Sequence, residues 1–228
     1  MKKLIIAASV AMALSAAAHA DSTAVLKLQG VLTNDACIPT LDGGGVVDFG
    51  TKYINTLSKT ETNQLGNKDL NLTISCSSPT KVAFSVGDDR ADSVANVTIE
   101  NVGWFAGETA WSMGTRFGAG KTAGNVNIGA YSITMNKDGI TADGSSAKAL
   151  QGAGNTDWSE FGGESKDTIQ SNNAYGYTVG NTNDNTPNAF TTAVFPLRIA
   201  LAVQKTDTLA ITDDTPIDGQ ATITLHYL

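Results

Sequence analysis

Near its start the chain carries a segment whose side chains alternate strictly. In residues 22–37, STAVLKLQGVLTNDAC, the side chains of Ala24, Leu26, Leu28, Gly30 and Leu32 fall on one face of an extended strand, because strand side chains repeat with a period of two. That face is apolar apart from one glycine, so it is built for a core. No turn signal appears until Thr33-Asn34-Asp35. A terminal strand of this kind can complete its own sheet or add to the sheet of another molecule.

The residues before it indicate export. Met1-Lys2-Lys3 is a positive start, residues 4–18 are an alanine-rich apolar run, and Ala18-His19-Ala20 is a small-x-small end, the three parts of a signal peptide over residues 1–20. The apolar run is too short to span a membrane, and no later stretch approaches the roughly 20 apolar residues that a spanning helix needs. Loss of Lys2 and Lys3 takes the net charge from −7 to −9, which disfavours nucleic acid and anionic membrane surfaces as partners. Cys37 and Cys76 are the only cysteines, and an even count in an oxidising compartment predicts a disulfide between them. A bridge closing about 40 residues constrains the unfolded chain by roughly 4 kcal/mol in the loop-entropy account.

Beyond the first twenty residues the pattern is all-β. Residues 46–49 read as a short strand bounded by Gly43, Gly44, Gly45 and Gly50, while Leu70, Leu72, Ile74 and Cys76 share a face of the next. Val82, Phe84 and Val86 follow Pro79 as a partner strand, predicting a hairpin, and residues 94–102 and 126–135 alternate more loosely. From Gly103 to Pro187 the composition turns to Gly, Asn, Ser, Thr and Asp, with Trp104, Trp111, Trp158, Tyr175 and Tyr177 scattered through it, which reads as an insertion of long loops. Residues 193–204 are the most apolar stretch after the leader. Pro196 near their beginning suggests a strand start or a sheet edge. After the turn residues 213–219 the chain ends in a strand with Ala221, Ile223, Leu225 and Tyr227 on one face and Thr222, Thr224 and His226 on the other. Short strands at this spacing predict a sandwich.

Four places in this order resemble chaperone–usher fimbrial subunits. Residues 28–37, LQGVLTNDAC, are similar to the N-terminal donor strand of pilins with its glycine and following cysteine, and residues 70–76, LNLTISC, to the strand with the second cysteine. Residues 195–200, FPLRIA, resemble the proline-containing penultimate strand, and residues 221–228, ATITLHYL, the terminal strand with its penultimate tyrosine. The resemblance implies an incomplete immunoglobulin-like β-sandwich over residues 37–228 that lacks its last strand. A periplasmic chaperone fills the gap first, using the terminal strand of Ala221, Ile223, Leu225 and Tyr227. At an outer-membrane usher the donor strand of the next subunit, residues 21–36, then replaces it, giving a head-to-tail homopolymer at the cell surface that supports adhesion. Two features depart from the family pattern. Its glycine upstream of the terminal strand usually stands further away than Gly219 does, near Thr215 and Pro216, and the Gly/Asn-rich region of residues 103–187 makes the chain long. Bottom-up energetics agree with the mechanism: burying Leu26, Leu28 and Leu32 at about 1.5–3 kcal/mol each gives a donated strand about 5–9 kcal/mol, as much as the net stability of many domains.

Other motifs carry less. The residues Gly118-Ala119-Gly120-Lys121-Thr122 suggest a phosphate loop, but Thr115 occupies the place of its first glycine, so the stretch reads as a mobile loop. His226, the one histidine beyond the leader, lies on the polar face of its strand without a catalytic or metal-ligating constellation. The loop 181–185 has alternate oxygen ligands but lacks the glutamate of a calcium loop. The expectation is a protein that is not an enzyme and uses no cofactor or metal. An alternative is a self-complemented module, closed by its own N-terminal strand, that binds a host glycan or protein through Trp104, Phe105, Trp111 and Trp158.

Overall fold

The computed structural model describes residues 26–30, 36–104, 107–110, 112–162, 167–181 and 183–228. Its strands are β1 (Cys37–Leu41), β2 (Asn63–Thr80), β3 (Val82–Asp88), β4 (Ile99–Glu100), β5 (Thr109–Ala110), β6 (Phe117–Gly118), β7 (Gly129–Met135), β8 (Thr141–Ala142), β9 (Ser145–Ser146), β10 (Lys148–Ala153), β11 (Ser159–Glu160), β12 (Tyr175–Gly180), β13 (Phe190–Val203) and β14 (Ala221–Tyr227). Short 3-10 turns and the one-turn helix α1 (Thr206–Leu209) connect some of them. The contact pattern divides the chain into residues 1–34 and residues 35–228. In the first unit, residues 26–30 form no regular structure, Leu26 and Leu28 are exposed, and a Cβ added at Gly30 would meet none of the described residues within 4 Å. Ala24 and Leu32 of the alternating face lie outside the described residues.

The second unit is an all-β sandwich of antiparallel sheets. One runs β1-β2-β13-β7-β6, with β8 and β9 attached to β13; the other runs β11-β10-β12-β3-β14. The inner faces meet over Leu72 and Ile74 of β2, Phe84 and Val86 of β3, Tyr177 and Val179 of β12, and Phe195 and Leu197 of β13, all in one buried cluster. Cys37 and Cys76 face each other across β1 and β2 and are joined in a disulfide, S–S 2.05 Å.

Several expectations are corrected. Residues 69–76 and 82–86 form no hairpin: β2 belongs to one sheet and β3 to the other, and the chain changes sheets at Lys81. Six of the seven residues of β3 are buried, as suits a strand flanked by β12 and β14 and covered by the opposite sheet. Pro196 sits inside the central strand β13, opposite Asn71. The Asn71 amide is turned away from β13, donating to Asp42 Oδ2, so the pair needs no bond between them. The other side of Pro196 falls between the pairing of β13 with β8 and its pairing with β7, so the missing donor breaks no ladder. The Gly/Asn-rich region 103–187 supplies β5 to β12 and so takes part in both sheets rather than standing outside them. Gly118, Ala119 and Gly120 are buried rather than mobile, with Gly118 N donating to Asp88 Oδ2 and Gly120 N to Ser93 Oγ.

Of residues 94–102, only Ile99 and Glu100 are strand. The β4–β5 pair lies on the outer face of the first sheet, where Val97, Ile99 and Val102 pack on Ala130, Ala200 and Ala202. Alanines at those positions let a third layer approach the sheet closely. Residues 46–49, read from sequence as a strand, form no ladder.

Candidate functional site

The second sheet ends in an unpaired strand edge, that of β14. It pairs with β3 along its whole length, from Ala221 opposite Asp88 to Tyr227 opposite Val82, and no strand lies on its other side. The strands that close the other ends of the two sheets are blunted: β6 and β11 are two residues long and β1 carries Pro39 and the disulfide. Ala221, Ile223 and Leu225 of β14 pack against the core, while Tyr227 is 55% exposed. What β14 offers outward is therefore its backbone edge and not its apolar face.

Along that edge runs a groove. In a sandwich each inner face is covered by the opposite sheet. Here the second sheet stops at β14, and over part of the first sheet's inner face the side chains, though buried, leave space unfilled. Tyr131 and Ile133 of β7 and Leu197, Ile199 and Leu201 of β13 line a cavity of about 270 Å³, bordered by Ala221 and Ile223 and by Leu41, Val47 and Phe49. A second hollow of about 540 Å³ shares Val47, Phe49 and Ile217 with the first and continues past Leu57, Leu209 and Ile211. The groove is apolar over the length of several residues.

Polar contacts hold β14 in place at both ends while leaving that edge free. At its start, Arg90 Nε lies 3.0 Å from Asp218 Oδ2, Thr222 Oγ1 donates to Asp89 Oδ2 at 2.8 Å, and Asp218 N donates to Ala119 O. Burial raises the Asp88 carboxyl above the usual range even though the amides of Arg90 and Gly118 donate to it. Burial likewise raises Tyr131, which stacks on Phe117 with ring centroids 5.1 Å apart. Gly219 passes so close over Tyr131 that an added Cβ would meet its ring at 2.7 Å, so the chain can enter β14 there only without a side chain. At the far end, Cys37 N donates to Tyr227 Oη at 2.9 Å and ties the start of β1 to the end of β14.

His226 Nε2 lies 2.8 Å from Ser85 Oγ, whose hydroxyl donates to Asn173 Oδ1 at 2.9 Å. Ser85 is 1% exposed and its proton is already engaged, so this trio reads as a polar fastener on β3 and β14 and not as a nucleophile and its base. Trp104 lies under the Arg198 guanidinium, 4.5 Å from ring centroid to Cζ, and Arg198 in turn forms a two-point ion pair with Asp69. Trp158 covers the backbone at Gly152 and Gly176, where an added Cβ would meet its ring at 2.9 and 3.3 Å. Both rings thus spend a face on anchoring their own loops. Phe105 and Trp111 lie outside the described residues. Among the described residues no cluster of three His, Cys, Asp or Glu side chains could hold a metal ion.

Sequence reasoning missed the floor of the groove and the contacts of Asp89, Arg90 and Asp218. The signal for the former was the alternation of Leu197, Ile199 and Leu201; for the latter it was the Asp88-Asp89-Arg90 turn directly after β3.

Over residues 26–132 the chain matches a family described as a protein of unknown function (DUF1120). It is 31% identical over 246 residues to uncharacterized protein YhcF of Escherichia coli strain K12, a match covering 99% of this chain and 98% of that one. It is 32% identical over 253 residues to protein GltF of the same strain, covering 100% and 99%. The chain belongs to the DUF1120 family. The DUF1120 match takes in the segment from Leu26, the disulfide, β1 to β3 and Tyr131 on the groove floor, and it ends within β7. The two full-length relatives of the DUF1120 chain extend the likeness through β13 and β14.

Proposed function

We propose that this protein is an exported, fimbrial-like structural subunit of an immunoglobulin-like type, assembled without enzymatic activity by donor-strand exchange. The observation that carries this reading is the apolar groove beside the unpaired edge of β14. An added strand fits both halves of such a site: its backbone completes the ladder and its alternate side chains fill the groove. The segment with Ala24, Leu26, Leu28, Gly30 and Leu32 on one face has the pattern required. A periplasmic chaperone covers the groove first, and at an outer-membrane usher the N-terminal strand of a neighbouring subunit takes its place, giving a head-to-tail fibre.

The test removes the donor and keeps the acceptor. A chain carrying its leader but lacking residues 22–32 should be recovered folded when co-expressed with the cognate chaperone, and should form none of the SDS-resistant multimers expected of the intact protein. Multimers in equal yield without that segment would count against the proposal.

A further inference from the structure

The 3-10 turn Met113–Thr115, just before β6, brings a thioether against a guanidinium. It is closed by Thr115 N and Thr115 Oγ1, which both donate to Ser112 O, and by Arg116 N, which donates to Met113 O. Side chains three residues apart lie one above the other in such a turn, so Met113 and Arg116 share a side. Their surroundings differ: Arg116, next to the fully buried Phe117 of β6, is 3% exposed, whereas Met113 is 58% exposed. The Arg116 guanidinium is buried without a carboxylate. Its Nη1 donates to Val97 O at 2.6 Å and to Asn96 Oδ1 at 3.2 Å, its Nη2 donates to the Met113 sulfur, and its Nε has no partner among the described residues. Burial lowers its pKa from the usual arginine value, as expected of a charge short of solvent. Buried charges are ordinarily paired with an opposite one. Of the three acceptors that stand in for that partner, the thioether is the weakest, and it is the one that oxidation can change. Met135, the other methionine beyond the leader, is 0% exposed in β7.

We infer that Met113 is a reversible oxidation site whose sulfoxide is received by Arg116. The oxidant is a small peroxide such as hydrogen peroxide. Its O–O bond breaks, one oxygen bonds to sulfur, and the other leaves with both hydrogens as water; sulfur loses two electrons and the peroxide gains them. The sulfoxide oxygen is a far stronger acceptor than sulfur, and it takes a charge-assisted hydrogen bond from Nη2 or from the unpartnered Nε. Oxidation of a core methionine disrupts packing. Here the side chain is at the surface, so the step adds an acceptor and removes little. Because Nη1 holds residues 96 and 97, which lead into the layer over the first sheet, the sulfoxide fastens that layer to β6. A methionine sulfoxide reductase reverses the step. The Cys37–Cys76 disulfide suits the oxidising compartments in which such oxidants are met.

Hydrogen peroxide added to the intact mature chain tests this, read by peptide mass spectrometry, thermal melting and NMR of the arginine side chains. Met113 should gain one oxygen about tenfold faster than Met135 or more, since susceptibility follows exposure. The oxidised chain should melt roughly 2–4 °C above the untreated one, and the Arg116 guanidinium N–H signals should move downfield. Methionine sulfoxide reductase should return both readouts to their starting values, and Met113→Leu given the same peroxide should show neither change. If Met113 carries the oxygen while the Arg116 signals stay in place and the melting temperature does not rise, the modification is an adventitious one at an exposed side chain and the inference is overturned. Equal oxidation of Met113 and Met135, or the same shifts in Met113→Leu, would overturn it as well.

Discussion

The two ends of the core are built differently. At the closed end Phe84 lies 5.6 Å from Tyr177 and 5.0 Å from Phe195, Phe161 stands edge-on to Tyr177 at 5.4 Å, and all four rings are at most 1% exposed. At the open end the floor is mostly aliphatic, with Ile133, Leu197, Ile199 and Leu201 around a cavity. Interlocked rings contribute both large buried area and preferred geometry, so they fix the two sheets against each other. Branched aliphatic chains around a void make a surface that another apolar strand can fill. The contrast teaches how one domain can hold its fold and still lack a strand: the rigid half carries the fold and the unfinished half carries the interaction.

Truncation at the two ends gives the largest effect. Phe84→Ala removes a fully enclosed ring and should lower the free energy of unfolding by about 3–5 kcal/mol, while Ile133→Ala, beside space that already exists, should fall near the lower end of about 2–5 kcal/mol. Denaturant unfolding of both variants in the absence of any chaperone measures the difference. Equal losses would show that the groove side is packed as tightly as the aromatic side and would remove the contrast.

Most of the sandwich was legible in the sequence because alternation is imposed by burial on one face. Leu70, Leu72 and Ile74 announced β2, and Ala221, Ile223 and Leu225 announced β14. Long-range pairing was not legible. Val82, Phe84 and Val86 look like the second arm of a hairpin, but which sheet a strand joins depends on which strands flank it, and β3 pairs along its whole length with β14, more than a hundred positions away. Pro196 misled for a related reason: the gap between β7 and β8 that accommodates it is made by other parts of the chain. Composition misled over residues 103–187, where Gly, Asn and Asp at positive φ, including Asn125, Asp143, Asn155 and Asn173, make tight turns between short strands and not one long loop. Residues 46–49 were read as a strand, and what they lack is a neighbour.

A second substitution acts on the interaction and not on the fold. Among the described residues a Cβ added at Gly30 would meet nothing within 4 Å, so Gly30→Leu should leave the melting temperature of the chaperone-free monomer unchanged. In the groove of a neighbour the added side chain overpacks a filled site, at a cost of about 1–3 kcal/mol, and blocks stepwise replacement of the chaperone strand. The variant should accept a strand but not donate one, ending chains to which it is added. A destabilised monomer together with normal multimers would sink the donor-strand reading and support a self-closed module.

The smallest effect belongs to the closed end and is visible only in acid. Asp143 stands in the turn after β8, and its Oδ1 accepts from Thr191 N, Thr192 N and Thr191 Oγ1, filling the register shift at the start of β13. These donors favour the ionised form, with the Thr191 hydroxyl the largest cause, and hold the carboxyl below its usual range. A carboxyl whose pKa is lower in the folded than in the unfolded state binds fewer protons when folded. Its contribution is therefore complete above the unfolded value of about 3.9 and is lost as pH falls through the folded value. Asp143→Ala should accordingly be less stable than the parent at neutral pH, and the two should converge as pH falls below about 4. Because the side chain is exposed and held by neutral donors, added salt should change the difference little, unlike that of an ion pair such as Arg90 with Asp218. Urea titrations of both proteins across that pH window decide it: parallel curves would mean that the carboxylate does not hold this end of the sheet, and that the stability of the closed half comes from its rings alone.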